Sequence, residues 1–260
     1  VGAFRKLNGH RYWATTHGEL GGDRTWGEHG LTIDLDPGGR LALGGMLESH
    51  ATPYPVDFEV ITPPGMPGAL ARPDGDGFML CFDGDYQIHW SSTLLCGYAG
   101  GNVGVTRITD IDFGPKAGGG PGLWFVGVNW SNACEMHYVP PGDGFYQTDG
   151  GHAVIGVLDM DTYKLDYCTA WGGGLEIPYA IHHTDEAVWV AGFTRAQGLT
   201  AVELPPPPGI GSGAIYTTTH AGALGGQWSD GFILRYKGGT YGLDYGTLVG
   251  GLRDDILLDI

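Results

Sequence analysis

The sequence predicts an all-β fold built of repeated four-stranded antiparallel units, and three observations predict it. Glycine supplies 49 of 260 residues, far above the usual share of roughly 7%, with no G-X-Y period. A double glycine recurs at nearly constant spacing along the whole chain. No stretch holds an apolar period of 3.6 residues over a helical length, whereas short runs of Val, Ile, Leu, Phe, Tyr and Trp alternate with Asp, Gly and Pro.

The double glycines are Gly21–Gly22, Gly100–Gly101, Gly172–Gly173 and Gly250–Gly251, with steps of 79, 72 and 78 residues. They close "GELGG", "GYAGG", "TAWGG" and "TLVGG", and the last two extend to "LDYCTAWGG" (165–173) and "LDYGTLVGG" (243–251). Upstream of each stands an apolar strand: "GAFRKL" (2–7), "DGFMLCF" (76–82), "HAVIGVL" (152–158) and "DGFILRY" (230–236). Downstream come two more strands and a turn in "GLTIDLDPGGRLALGG" (30–45), "ITDIDFGPKAGGGPGLWFVGV" (108–128) and "YAIHHTDEAVWVAGF" (179–193), and then "DDILLDI" (254–260). Four antiparallel strands at a fixed period are the sequence form of a β-propeller blade.

The unit is longer than usual because of insertions between its second and third strands, near 46–75, 129–151 and 194–229. With strands named A to D from the axis outward, the chain reads C-D, three times A-B-C-D, then A. The expectation is one propeller over 1–260, an incomplete ring with blade parts roughly at 1–22, 30–101, 108–173, 179–251 and 252–260. Open strand edges are pairing templates, so a protein partner or homo-oligomer is expected there.

The order of these pieces resembles the SBBP-type β-propeller repeat of bacterial surface and secreted proteins. The resemblance rests on "IDLDPGGRLALGG" (33–45), "DEAVWVAGFT" (185–194), "GDGFYQT" (142–148), "GAIYTTT" (213–219), "DGFILRY" and "LDYGTLVGG", and covers nearly the whole chain. The chain departs from the pattern at "HAVIGVL", where an acidic-Gly-Phe start is usual, and in the length of its inserts. The resemblance implies the fold and an extracellular or cell-surface location, and no particular reaction.

Charge narrows the partners. The net charge of −16, from 13 basic and 29 acidic side chains, repels phosphate backbones and disfavours nucleic-acid binding. No apolar run reaches membrane-spanning length. The chain opens at Val1 and is read as processed or excised, so a missing leader carries no information.

The insert face is the candidate ligand-binding surface. It gathers Trp26, His29, Tyr54, Phe58, Trp130, His137, Tyr138, Tyr146, Tyr216, His220 and Trp228, aromatics with polar handles that suit glycan or protein recognition. The competing reading, that they fill small cores of the inserts, carries more weight. The leading function is a non-catalytic binding or assembly module. The alternative is a polysaccharide-acting hydrolase or lyase, with Asp143, Asp149, His137 and His220 as its first suspects.

Other motifs are weaker. "HHTDE" places His182, His183, Asp185 and Glu186 at an A–B turn; adjacent strand residues face opposite ways, which argues against one shared metal ion. "DGDGF" (74–78) and "DGDY" (83–86) are oxygen-rich loops of a kind that holds calcium, but Asp-Gly is also a favoured hairpin turn and the terminal Glu is missing. No other cofactor is indicated. Of Cys81, Cys96, Cys134 and Cys168, Cys96 and Cys168 are expected at equivalent outer-strand positions, too far apart to bond; a bridge involving Cys134 stays open.

Overall fold

The computed structural model describes residues 2–4, 11–14, 28–47, 76–85, 87–94, 106–129, 152–196, 199–200, 203–206, 217, 229–251 and 253–260. Among these residues there are fourteen strands and no helix. A short ladder joins β1 (Gly2–Phe4) to β2 (Arg11–Ala14). The first large sheet contains β3 (Glu28–Leu35), β4 (Leu41–Leu47), β5 (Asp76–Phe82) and β6 (Ile88–Leu94). The second contains β7 (Thr106–Pro115), β8 (Pro121–Asn129), β9 (Ala153–Asp159) and β10 (Lys164–Trp171). The third contains β11 (Glu176–His183), β12 (Ala187–Thr194), β13 (Asp230–Lys237) and β14 (Leu243–Val249). In each large sheet the strands lie in chain order and pair antiparallel. The three inserts fall between second and third strands, as the sequence predicts.

The sheets repeat one register in detail. The first strand of each bulges between Gly30 and Thr32, Ile108 and Asp110, and Pro178 and Ala180. Opposite each bulge stands a glycine, Gly45, Gly127 or Gly192. A bulge pushes one strand's backbone toward its partner. A Cβ on Gly127 would lie 2.4 Å from the Arg107 carbonyl oxygen, and one on Gly192 would lie 2.2 Å from that of Ile177. Only glycine fits there, which accounts for part of the chain's glycine excess. A second bulge recurs in the last ladder of each sheet, where Trp90 opposite Cys81, Tyr167 opposite Val157 and Tyr245 opposite Arg235 are equivalent.

That register corrects one expectation. Counting from the second bulge, Ser91 pairs Leu80 where Cys168 pairs Gly156 and Gly246 pairs Leu234. Ser91, not Cys96, therefore matches Cys168. The connection from β6 to β7 is longer than the one from β10 to β11, so distance to the double glycine does not set register there; the hairpin turn does. Cys81 and Cys168 are buried, and Cys96 and Cys134 lie outside the described residues.

The core runs between successive sheets. The first strand of each following sheet, β7 or β11, packs on the first three strands of the preceding one. One buried cluster joins Ala42, Met79, Cys81 and Trp90 to Ile108, Ile111, Leu123 and Phe125. Another joins Trp124, Val126, Ile155, Val157 and Tyr167 to Ile181, Val190, Phe232 and Tyr241. The hairpin tyrosines Tyr163 and Tyr241 hold the left-handed φ angles of 54° and 55°, costly for an aromatic residue. The reason lies in packing. Tyr163 stacks on Trp90 and Tyr241 on Tyr167, at ring separations of 5.7 and 4.6 Å, so each turn reaches back to the preceding sheet.

The described part of the third insert lies along one edge of the third sheet. Pro205 and Thr217 accept hydrogen bonds from the Gly246 and Leu248 amides, 2.9 Å each, along the outer edge of β14. Leu199 and Leu204 are buried with Trp171, whose Nε1 donates to the Glu203 carbonyl at 2.9 Å. This covers an edge that would otherwise present free backbone groups. The segment 254–260, expected as a strand, forms no ladder among the described residues.

Candidate functional site

The described residues bring one polar cluster together, where β3, β7 and β11 approach one another. Beyond the bulge, the even-numbered residues Thr32 and Asp34 of β3 and Asp110 and Asp112 of β7 point toward the next strand of the series, because side chains alternate along a strand. The Phe113 amide donates to Asp34 Oδ2 at 2.7 Å, and the Ile181 amide to Asp110 Oδ2 at 2.9 Å. The His183 amide donates to Asp112 Oδ2. Thr32 Oγ1 donates to Asp110 Oδ1 at 2.6 Å. Asp34 and Asp112 stand at the same position of the repeat, two residues beyond the bulge and paired with Ala42 and Trp124. Each carboxylate thus clasps the backbone of the following sheet.

Electrostatics at this cluster are set by burial and crowding. Burial raises the Asp110 carboxyl against the hydroxyl and amide donors that lower it. Burial likewise pushes Asp112 up to about 6, with Asp34 and Asp110 adding repulsion, while the His183 amide and the His182 ring pull it down. His182 Nδ1 lies 3.5 Å from Asp112 Oδ2 with its side chain more than half exposed. Burial lowers the pKa of His183, whose ring lies beside Gly114 of β7. Among the described residues no group of three or more His, Cys, Asp or Glu side chains is placed to hold a metal ion. What this arrangement does chemically is accept backbone hydrogen bonds and hold the sheets in register.

A pH dependence follows. The folded-state pKa of Asp112 lies above the ordinary carboxylate value of 3.8, so the native state holds this proton more tightly than the unfolded chain does. The stability this contributes is complete below pH 3.8 and is lost as pH rises through about 6. The urea midpoint of the native chain is therefore expected to fall from pH 4 to pH 7 relative to Asp112→Asn, whose midpoint lacks this contribution. Parallel curves for the two proteins would contradict the assignment.

Of the sequence-predicted residues, His182 and His183 border this cluster. Trp26, Tyr54, Phe58, Trp130, His137, Tyr138, Asp143, Tyr146, Asp149, Tyr216, His220 and Trp228 lie outside the described residues, as does the side chain of His29. Of the acidic turns, Asp83 is occupied by the backbone: its Oδ1 accepts from the Asp85 and Gln87 amides at 2.9 and 3.0 Å. This is the hairpin role that competed with calcium. The aspartates Asp34, Asp110 and Asp112 were missed by sequence reasoning. The available signal was the recurrence of Ile-Asp in "TIDL" (32–35) and "TDIDF" (109–113).

No protein-family model and no curated protein matches this chain.

Proposed function

We propose that the chain is a propeller-type, non-catalytic binding and assembly module acting at or outside the cell surface. In this reading β3, β7 and β11 are successive inner strands of a ring, each sheet being a blade. One observation carries the assembly role. Ile111 and Ile181 occupy equivalent positions on β7 and β11 and are 4% and 5% exposed, each under the preceding sheet. Their counterpart on β3, Ile33, is 52% exposed, and Leu31 and Leu35 of the same strand are exposed as well. Three exposed large aliphatic side chains on one strand, centred on a position that is buried under a sheet in both other copies, form an interaction surface. Covering the half of each that is exposed would contribute about 1 kcal/mol.

The acidic surface and the aromatic inserts support glycan or protein recognition as the module's binding activity. Sedimentation velocity at micromolar concentration tests the assembly role. The native chain is expected to sediment as more than one copy, or with its partner, and Ile33→Asp to sediment as a folded monomer. A native chain that is monomeric throughout that range, and silent on a glycan array, overturns the proposal.

A further inference from the structure

The third sheet ends in a face that the first two sheets keep covered. On the second sheet Trp124, Ile155, Val157 and Tyr167 are buried beneath the third. Their counterparts on the first sheet, Ala42, Met79, Cys81 and Trp90, are buried beneath the second. The register places Trp189, Ile233, Arg235 and Tyr245 at the same positions on the third sheet. There they are only partly buried. Trp189 lies edge-on to Tyr245 with ring centroids 6.3 Å apart, and the Arg235 guanidinium sits 5.7 Å over the Trp189 ring.

The chain carries a segment made for that face. In both covered cases the cover begins with the first strand of the next sheet, and β11 follows β10 after the four residues 172–175. Residues 250–253 form a link of the same length between β14 and Asp254. Beyond it, Leu258-Asp259-Ile260 repeats the order of Ile33-Asp34-Leu35 and Ile111-Asp112-Phe113. Ile256, Leu258 and Ile260 alternate like one flank of a strand and are 47%, 68% and 41% exposed. The segment already touches the third sheet at its start, where the Asp255 amide donates to the Ser229 carbonyl at 2.7 Å. A side chain at Gly231 would collide with Leu257. The residue turned toward the sheet is thus Leu257, while the apolar row faces solvent.

We infer that the segment 254–260 of the same chain seats as a fourth inner strand on the third sheet. Ile256, Leu258 and Ile260 then cover Trp189, Ile233 and Tyr245, and the Asp259 carboxylate accepts the Leu35 amide of β3. This repeats the links from the Phe113 amide to Asp34 and from the His183 amide to Asp112. Turning the strand by one residue exchanges its two flanks, so the seated form needs a half-turn of the segment and no rebuilding of the sheet. The short link favours the chain's own segment over that of a second copy, because it keeps the strand at high effective concentration.

The inference rests on the propeller reading, and amide hydrogen exchange separates the two. The expected result is that Leu35 exchanges slowly in the native chain, speeds up about a hundredfold in Asp259→Ala, and stays slow in Asp259→Asn, whose side-chain oxygen still accepts. Leu258→Asp, which unseats the apolar row, is expected to release Leu35 as well. Phe113 and His183 serve as internal references and stay protected in all three variants. Leu35 exchanging freely in the native chain, or indifferent to both Asp259→Ala and Leu258→Asp, overturns the inference while leaving the propeller reading intact. Protection that appears only at high protein concentration overturns it in favour of a second copy's segment. Loss of Phe113 and His183 protection in the native chain overturns the propeller reading itself.

Discussion

Replacing Tyr241 by alanine is expected to lower the stability of the chain by about 3–5 kcal/mol, the cost of deleting a large buried aromatic. The side chain is 2% exposed and belongs to the turn between β13 and β14, yet its contacts lie on the second sheet. Its ring stacks on Tyr167 at 4.6 Å with the planes 8° apart and meets Trp124 edge-on at 5.5 Å. Its hydroxyl donates to Asp166 and accepts from the Ala117 amide at 3.0 Å. Lys116 Nζ, 3.2 Å from Asp159 and 3.8 Å from Asp166, closes the surrounding charge network. Tyr241→Phe keeps the stacking and leaves the Ala117 amide and Asp166 each short of a partner, an expected loss of about 1–3 kcal/mol. Urea denaturation with a common m-value separates the two variants. A Tyr241→Ala protein within about 1 kcal/mol of the native chain would show that the ring does not clamp the sheets.

Glu176→Ala is expected to cost a similar amount, about 3–5 kcal/mol, for a different reason. The carboxylate is fully buried and faces donors only. Oε1 accepts from the Gly173 and Gly174 amides at 3.1 and 2.8 Å and from the Thr194 hydroxyl at 3.3 Å, and Oε2 accepts from the His152 amide at 3.0 Å. Removing it strands these backbone donors in the interior, which is where unmade hydrogen bonds are most costly. Glu176→Gln preserves the volume but points an amide donor at them, so a loss of about 1.5–3 kcal/mol is expected. Gly172, at φ +112°, has no room for a side chain, since a Cβ there would meet the Glu176 carboxyl. At the next corner two residues divide this role. Asp254 accepts from the Ser229 amide and hydroxyl, and Asp255 from the Gly251 amide. Thermal melts of the Glu176 variants check the prediction, and an unshifted Glu176→Ala would exclude a structural role for the corner.

The repeating strands were legible because their signal is local. Alternating apolar runs such as "DGFILRY" and turns rich in Asp and Gly identify β13 and its relatives without knowledge of any partner. The contacts between sheets were not legible in the same way. Asp34 and Asp112 bond to backbone amides, and nothing in the identity of Phe113 or His183 advertises the receiving group. The mismatch of Cys96 with Cys168 has a related cause. The sequence offered the double glycine as a ruler, whereas the pairing is counted from the turn and the bulge at Trp90. Tyr163 and Tyr241 stood in plain view within "TYKLDY" and "TYGLDY", but their reach back to the preceding sheet depends on a left-handed backbone that residue type argues against. The aromatic inserts, where sequence reasoning placed the ligand, follow no period and so give no repeat against which to align them.

The clasp from aspartate to backbone has a consequence for how such a chain grows. A joint made between two side chains must be re-matched whenever a unit is copied, because both halves have to change together. Here the donor is a peptide group, which every residue except proline provides. A duplicated unit therefore arrives with its fastening already compatible with whatever precedes or follows it. Phe113 and His183, chemically unlike, are held in the same way, and new surface chemistry can accumulate on one copy without loosening its attachment to the next.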